Sequence, residues 1–306
     1  MSDDVAVLMS VYNGTKHLPE QIESIFNQDY EGNITIVVRD DGSTDLTCEY
    51  LESVKNRNDR RIILFKEENV GVRKSFLKLL KIAPEAGFYF FSDQDDFWDK
   101  DKIKTAVAKM KRADSPVMYC SNYRLSDGEL NVYKEKAIEN SAAFTPLRII
   151  FYNWIPGCCM GFDSNMMALL RELNLDNVMM HDSMALSFAS VCGTVIYDEQ
   201  PRIIHRIHSR NVVGDGHKKI KPFSWVKEKF RLLKNKEDYD LSQMAAEFLR
   251  VLEGKDVKYK NDIILLRDYK KSRSATRRLL RHKDTKNKMF DRTTMSIRSK
   301  IFFHLF

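Results

Sequence analysis

The sequence predicts an α/β fold, with a mainly parallel sheet covered by helices on both faces, followed by a basic helical extension. Short apolar runs alternate with helix-prone segments from residue 5 to residue 91. This alternation is typical of parallel strands joined by crossover helices. Beyond residue 214 it stops, and residues 217–306 carry 25 Lys/Arg against 11 Asp/Glu. We therefore expect an α/β domain at 1–215 and a helical, basic region at 216–306.

The elements of the predicted α/β domain follow one another as strand and helix in turn. Each strand is a short apolar run, and each helix shows apolar residues at helical spacing. Ser43 or Thr44 is the expected N-cap of the second helix, because a hydroxyl there accepts a hydrogen bond from the first turn. The predicted strands are Val5–Met9, Ile34–Val38, Arg61–Phe65 and Gly87–Phe91, and the predicted helices are 17–28, Thr44–Val54 and Val70–Ile82.

Composition excludes several classes of protein. With 43% hydrophobic and 30% charged residues, 12 Gly and 7 Pro, the 306-residue chain is neither disordered nor collagen-like. No apolar run reaches the ~18 residues of a membrane-spanning helix, and no secretory leader is visible, so we expect a cytosolic protein. Five cysteines without a CxxC pair argue against a disulfide framework or a zinc site, and we expect them to be reduced.

Polar segments directly follow three of the predicted strands. They read SVYNG at 10–14, RDDGSTD at 39–45 and SDQDDFW at 92–98. Parallel α/β sheets bind ligands at the carboxyl ends of their strands. The DDGST stretch is also an ordinary Asx turn that leads into a helix. The three acids of SDQDD would repel one another, which favours a divalent cation held by oxygen ligands, Mn²⁺ or Mg²⁺.

These segments and four further motifs resemble glycosyltransferase family 2. The further motifs are ENVGV at 68–72, GCCMGF at 157–162, MHDSMAL at 180–186 and HRIHSRNVVG at 205–214. The resemblance is to bacterial rhamnosyltransferase-like members. It implies a GT-A fold, an inverting mechanism and a nucleotide-sugar donor, with dTDP-rhamnose as the first expectation and a UDP-hexose as the second. The implied acceptor is a lipid-linked or growing bacterial cell-surface glycan.

The resemblance also implies roles for individual residues. Asp95, the last acid of the DxD motif, is the implied direct metal ligand, and His208 would complete the metal shell or touch the diphosphate. Asp182 is the implied base that takes the proton from the acceptor hydroxyl, on the side of the sugar opposite the diphosphate. The implied nucleotide-binding residues are Ser10, Tyr12, Asp41, Asn69, Asp93 and Arg206.

Three of these residues also have a simpler structural interpretation. Asp182 precedes SMALSFASV and would serve equally as a helix N-cap. A lone histidine such as His208 is more often structural than a ligand. Arg206 would either bind the diphosphate or stabilise its own motif, because a guanidinium suits both.

Five further residues lie in or beside these motifs. Asp96 is expected to support the acidic loop rather than bind the metal directly. Cys158 and Cys159 are expected to be buried small hydrophobes on the acceptor side rather than redox or metal groups. Arg210 and His205 depart from the family pattern. These departures weaken the assignment of a particular substrate.

The C-terminal region is expected to lie on an anionic membrane surface, because apolar residues at helical spacing interleave with Lys and Arg. The protein would then be peripheral on the inner face of the cell membrane. The alternative is a helical subdomain with a solvated basic face. Nucleic-acid binding is the less favoured use of this charge, since no nucleic-acid-binding motif is present. The competing enzyme class is a nucleotidyltransferase, which would release pyrophosphate rather than a nucleoside diphosphate.

Overall fold

The chain forms two compact units. The computed structural model describes residues 3–56, 61–139, 143–174, 176, 179–208, 239–285 and 291–306. The first unit, here called the α/β unit, comprises residues 1–142, 154–172 and 193–212, and the second, the helical unit, comprises 143–153, 173–192 and 213–306. The predicted domain boundary at 215/216 lies outside the described residues. The helical unit also takes in two earlier segments, which the sequence analysis left within the α/β domain.

The α/β unit contains the sheet and the helices that cover it. Its strands are β1 (Val5–Val11), β2 (Ile34–Asp41), β3 (Arg61–Glu67), β4 (Phe88–Ser92), β5 (Phe97–Trp98), β6 (Val117–Ser126), β7 (Val132–Lys134), β8 (Met160–Asp163) and β9 (Thr194–Arg206). Its helices are α1 (Leu18–Phe26), α2 (Thr47–Lys55), α3 (Val72–Ile82), α4 (Lys102–Met110) and α6 (Ser164–Glu172).

The strands form one mixed sheet in the order β3-β2-β1-β4-β8-β6-β9-β5, with β7 paired to β6. The strands β3, β2, β1 and β4 are parallel, and Val5 pairs with both Ile34 and Phe88. This confirms the predicted parallel core of the sheet. Strand β8 runs antiparallel between β4 and β6. The sequence did not reveal β8, because four residues are too few for a recognisable alternation.

The apolar runs that predicted the strands form the core of the sheet. Residues 5–9 of β1 and 88–91 of β4 are at most 2% exposed, as expected for parallel strands with helices on both faces. Helix α3 packs on this sheet, and its Phe76 meets Phe91 edge to face with ring centroids 5.5 Å apart. The aromatic contact adds to the burial of both rings.

Helix α2 begins later than the sequence suggested. It starts at Thr47, and no side chain caps it from its N-cap position, Leu46. The carboxylate of Asp45 instead accepts a hydrogen bond from the Thr47 backbone N–H at 3.0 Å. The predicted cap at Ser43 or Thr44 is therefore wrong, because Ser43 is used by the preceding loop, as described below.

The helical unit is built from short helices around a separate core. They are α5 (Pro146–Tyr152), α7 (His181–Cys192), α8 (Leu241–Val251), α9 (Lys260–Asp268), α10 (Arg273–Arg281) and α11 (Asp291–Phe302). Phe188 of α7 contacts Phe248 of α8 with ring centroids 4.8 Å apart. Among the described residues, no helix has both the length and the apolarity needed to cross a membrane.

Candidate functional site

The three predicted loops meet at one edge of the sheet. Strand β1 lies between β2 and β4, and in the parallel register Val11 pairs with Asp40 while Met9 pairs with Ser92. The carboxyl ends of the three strands therefore lie side by side. The loops after them, which carry the YN, DDGST and DQDD residues, converge as the sequence predicted.

The first loop is joined to the second by hydrogen bonds from backbone N–H groups to side-chain oxygens. The Asn13 N–H donates to Ser43 Oγ at 2.9 Å, and the Thr44 N–H donates to Asn13 Oδ1 at 2.8 Å. Asn13 adopts a left-handed backbone with φ 48°, a conformation that asparagine tolerates better than most residues. The preceding residue, Tyr12, lies at the tip of the loop and is 47% exposed. Its ring is open for stacking on a planar ligand.

Ser10, the other predicted residue of this loop, is less accessible. Its Oγ lies 2.5 Å from Ser75 Oγ. Ser75 is buried in α3 and also accepts a hydrogen bond from Arg39 Nη1 at 3.1 Å. In the described structure Ser10 therefore links β1 to α3, and its contact with a nucleotide stays a prediction.

Asp41 is buried and fixes the ENVGV loop. Its two carboxylate oxygens accept hydrogen bonds from the backbone N–H groups of Val70 and Gly71, each at 2.8 Å. The buried guanidinium of Arg39 pairs with the same carboxylate. Asp41 thus holds the loop that presents the exposed Asn69. The predicted contacts of Asp41 and Asn69 with a nucleotide stay predictions.

Asp40 stabilises the turn after β2. Its Oδ2 accepts a hydrogen bond from the Ser43 N–H at 3.1 Å, and Gly42 between them has φ 78°. A glycine suits this left-handed position because it has no Cβ to clash. An open cavity of about 710 Å³ lies beside this turn, lined in part by Asp40, Gly42 and Val70.

The acidic loop contains two adjacent aspartate–histidine pairs. In the first, here called the outer pair, His208 Nε2 lies 2.8 Å from Asp95 Oδ2, and the two side chains are 19% and 15% exposed. The His208 ring stacks on His17, with centroids 5.4 Å apart. Burial and the neighbouring charge of Asp96 raise the pKa of Asp95. A carboxylate in such surroundings is stabilised by a cation.

The second, here called the inner pair, lies beneath the first. Asp96 is fully buried, and its Oδ1 lies 2.8 Å from His205 Nδ1 and accepts the Arg206 backbone N–H at 3.2 Å. Burial opposes ionisation of Asp96, but the charge and hydrogen bond of His205 outweigh it and lower its pKa. Burial likewise lowers the pKa of His205, but Asp96 outweighs it and raises that pKa to about 10. The inner pair is therefore an ion pair.

Arg206 supports the acidic loop from below. The guanidinium is buried and donates to the carbonyl oxygens of Asp95 at 2.8 Å and Gly128 at 2.6 Å, and it pairs with Glu20 at 2.6 Å. These contacts match the motif-stabilising alternative. A direct contact of Arg206 with a nucleotide stays a prediction.

The cysteine pair packs beneath the same loop. Both Cys158 and Cys159 are fully buried, and burial raises the pKa of the Cys158 thiol well above its usual range. The buried Lys102 donates to the Cys158 carbonyl at 2.9 Å and lies 4.7 Å from the centroid of the Trp98 ring. The sequence analysis missed Lys102, because a lysine at the start of a helix is usually solvated.

One group of possible metal ligands lies in the acidic loop. The ligand atoms of Asp93, Asp96, Cys158 and His205 are within 4.8 Å of one another. His205 is protonated and has no free nitrogen lone pair, and Cys158 keeps its proton and is only a weak ligand as a thiol, so neither suits a metal at neutral pH. The carboxylate of Asp95 with the imidazole of His208 is the donor set better suited to Mn²⁺ or Mg²⁺.

A second group lies in the helical unit. It consists of Asp262, His282 and Asp284. The buried Asp284 is already paired with Arg148 at 3.3 Å, and its backbone N–H donates to His282 Nδ1 at 3.2 Å. These contacts are those of an internal ion-pair network.

Asp182 lies in the first turn of α7, in the helical unit. Its Oδ1 accepts a hydrogen bond from the Ser183 backbone N–H at 2.6 Å. The helix begins one residue earlier, at His181, so Asp182 lies inside the first turn and the predicted N-cap role is wrong. Its role as a base stays a prediction. Arg210, the other departure from the family pattern, lies outside the described residues.

Comparison with known proteins bears on the family and the fold of the chain. The family model described as Glycosyl transferase family 2 matches residues 6–173. A dTDP-rhamnosyl transferase, RfbG of Shigella flexneri, is 28% identical over 221 residues, which cover 67% of this chain and 73% of the relative.

Solved structures resemble the chain in fold. TarS of Staphylococcus aureus, solved with UDP-GlcNAc, has a TM-score of 0.56 at 17% identity. The aligned region covers 100% of this chain and 82% of the TarS chain. The mannosyltransferase PcManGT of Pyrobaculum calidifontis, solved with GDP-Man and Mn²⁺, has a TM-score of 0.55 at 18% identity, with coverage of 97% and 74%. The predicted GT-A fold is thereby confirmed.

Proposed function

The chain belongs to glycosyltransferase family 2, and on that premise we propose that it transfers a sugar, with inversion, from a nucleoside diphosphate to a glycan acceptor. The observation that carries this proposal is the outer pair beside the exposed Tyr12 ring. An aromatic face for a base and an anionic site for a metal lie on neighbouring loops at the same edge of the sheet. A nucleoside diphosphate needs both.

The proposed donor is dTDP-rhamnose, with a UDP-hexose as the second choice. The similarity to a dTDP-rhamnosyl transferase over 67% of this chain supports the first. The fold shared with TarS supports only the broader class, because 17% identity carries no substrate information. Tyr12 would stack on the pyrimidine, and Asp93 and Asn69 would face the ribose side of the donor.

The proposed metal ligands are Asp95 and His208. When bound, Mn²⁺ or Mg²⁺ neutralises the charge that develops on the leaving diphosphate. Asp95 is suited to this because its charge is destabilised without a cation. The inner pair and Arg206 hold the acidic loop in place. They act through hydrogen bonds to the carboxylate of Asp96 and the carbonyl of Asp95.

The proposed base is Asp182. Its carboxylate is held in a defined direction by the Ser183 backbone N–H, as a positioned base requires. It would take the proton from the acceptor hydroxyl as that oxygen attacks the anomeric carbon. The buried neighbour His181, whose pKa burial lowers to about 3, stays neutral and does not compete for that proton.

The proposed acceptor is a lipid-linked or growing bacterial glycan, reached from the inner face of the membrane. A basic surface on the helical unit supports this. Arg277, Arg278 and Arg281 of α10 are exposed, and within the described part of the chain no ion pair involves them. Phe302 and Phe303 are 62% and 48% exposed.

The two parts of this surface are neighbours. Thr276 of α10 lies 3.2 Å from His304, which follows the exposed aromatic pair. Basic side chains beside exposed aromatic rings suit the headgroup region of an anionic bilayer. Trp225 and Phe230, two further aromatic residues of the basic region, lie outside the described residues.

Sedimentation with liposomes tests the membrane surface. Replacement of Arg277 and Arg278 by Gln should weaken binding to anionic vesicles about 30-fold, since each basic residue near the surface contributes about 1 kcal/mol. The exposed Lys255 and Lys258 of the same unit, replaced by Gln, provide the matched control. Equal binding of both variants would show that α10 does not contact the membrane.

The transferase activity is tested by product analysis. The purified chain is incubated with dTDP-rhamnose or UDP-hexoses, Mn²⁺ and a lipid-linked bacterial glycan. Release of free dTDP or UDP together with a lengthened glycan supports the proposal. Release of pyrophosphate would instead indicate a nucleotidyltransferase and contradict it.

A further inference from the structure

Gln94, the middle residue of the DxD motif, reaches back to the first loop. Its Oε1 accepts the Tyr12 backbone N–H at 2.9 Å, and its Nε2 donates to the Tyr12 carbonyl at 3.2 Å. The two bonds together fix the orientation of the amide, because only one of its ends can accept and only the other can donate. Gln94 thus pairs with Tyr12 as a neighbouring strand residue would.

The packing around this amide is close. A Cβ placed on Gly14 would lie 2.6 Å from Gln94 Oε1, so the loop folds directly against the glutamine. Asn13, which lies between Tyr12 and Gly14, donates its backbone N–H to Ser43 Oγ. The Tyr12 backbone is therefore fixed from two directions, while its ring is 47% exposed. The direction of that ring depends on the Gln94 contact.

We propose that Gln94 is a positioning residue that sets the Tyr12 ring against the donor base and joins base recognition to the acidic loop. This inference rests on the proposed function, in which Tyr12 stacks on the base and Asp95 binds the metal. Gln94 lies between Asp93 and Asp95 in the chain, so a single side chain spans from the metal side of the donor to its base side. The contact is to backbone atoms and acts for any pyrimidine.

Glutamine is suited to this position by its length and its two functions. Asparagine is one methylene shorter and cannot reach both Tyr12 atoms from the same backbone. Glutamate keeps an acceptor for the Tyr12 N–H but has no donor for the carbonyl, and it would add a charge between two acids. We therefore expect the nucleotide affinity of Gln94→Glu to lie between that of wild type and that of Gln94→Ala.

Calorimetric titration with UDP and with dTDP, each with and without Mn²⁺, tests the proposal. Gln94→Ala should weaken nucleotide binding about ten-fold under both conditions, as expected for the net loss of about one to two hydrogen bonds. Replacement of the exposed Gln200 by Ala is the matched control and should leave binding unchanged. Affinity for Mn²⁺ alone should stay within two-fold of wild type.

A double-mutant cycle with Tyr12→Ala separates positioning from a general loosening of the loop. If Gln94 acts through the Tyr12 ring, Gln94→Ala has no further effect on nucleotide affinity once the ring is removed. A full ten-fold loss in the Tyr12→Ala background would overturn the proposal, as would unchanged affinity in the single variant. Wild-type protein that binds neither UDP nor dTDP would overturn the proposed function itself.

Discussion

The outer and inner aspartate–histidine pairs are built from the same two residue types and differ in what surrounds them. Asp95 is partly exposed, and burial together with the charge of Asp96 raises its pKa. Asp96 is fully buried, yet its pKa is lowered, because His205 supplies a positive charge in contact with it. Asp96, in contact with the positive charge of His205, holds the loop. At Asp95, burial and the charge of Asp96 outweigh the contact with His208, so a bound cation would stabilise this carboxylate.

The difference follows from where the two side chains lie. Asp95 is in the bend before β5, and Asp96 directly precedes that strand. One faces the solvent edge, and the other faces β9, where Phe97 pairs with Ile204 and brings His205 alongside. The adjacent residues Asp95 and Asp96 thus have different functions.

The largest expected effect comes from breaking the outer pair. Asp95→Asn should reduce sugar transfer at least about 1,000-fold, because neutralisation of the leaving group is worth several kcal/mol. Transfer by wild-type protein should fall similarly in excess chelator. Initial rates with a nucleotide-sugar donor measure both. Full activity in chelator would contradict a metal-dependent reaction.

The second largest expected effect comes from replacing Asp182, which belongs to neither aspartate–histidine pair. Asp182→Asn should lower turnover by about 10²–10⁴-fold, the usual contribution of a positioned base, and leave nucleotide affinity unchanged. The exposed Asp176, in the same unit, provides the control as Asp176→Asn. Loss of nucleotide affinity in parallel with turnover would assign Asp182 to the fold or to the donor site.

Breaking the inner pair should affect the fold more than the chemistry. Asp96→Asn leaves a charged His205 without its partner, and such changes in buried ion pairs cost about 3 kcal/mol. Chemical denaturation should show this loss as a lower midpoint at an unchanged slope. Unaltered stability would mean that water or another carboxylate compensates.

The smallest expected effect concerns His181, whose pKa is shifted in the opposite direction to that of His205. Burial alone lowers the pKa of His181 to about 3, whereas Asp96 raises that of His205 to about 10. Below pH 6.5, His181 is protonated in the unfolded chain and neutral in the folded chain. The free energy of unfolding is therefore unaffected by His181 above pH 6.5 and decreases as the pH falls towards 3. The decrease is about 1 kcal/mol by pH 5.5.

Thermal unfolding at pH 7.5 and pH 5.5 measures this dependence. His181→Leu should lose less stability on acidification than wild type. Equal losses in the two proteins would show that other groups cause the acid sensitivity.

The sequence predicted the sheet edge and the acidic loop because both depend on local patterns. Apolar runs identified the parallel strands, and DQDD at the end of β4 identified the site. Which aspartate is buried depends on β9, whose pairing partners lie about 100 residues away in the chain. No local pattern reports such a pairing.

Other features of the site were missed for a related reason. Gln94 occupies the variable position of the motif, and nothing in its neighbours indicates that it bonds to Tyr12, 82 residues earlier. The resemblance implied a nucleotide contact for Asp41, which stays a prediction, whereas its ion pair with Arg39, two residues before it, was not predicted. The sequence showed both histidines of the HRIH segment, but it did not show that His205 pairs with Asp96 and His208 with Asp95.

The outer pair is expected to bind the cation, and the inner pair is expected to hold the fold. Both expectations are tested together by Mn²⁺ titration, in the presence of UDP or dTDP, of Asp95→Asn and Asp96→Asn, with the melting temperature of each recorded. We predict that Asp95→Asn loses Mn²⁺ binding and melts no lower than wild type, whereas Asp96→Asn binds Mn²⁺ and melts lower. Loss of Mn²⁺ binding by Asp96→Asn, with tight binding retained by Asp95→Asn, would contradict this prediction.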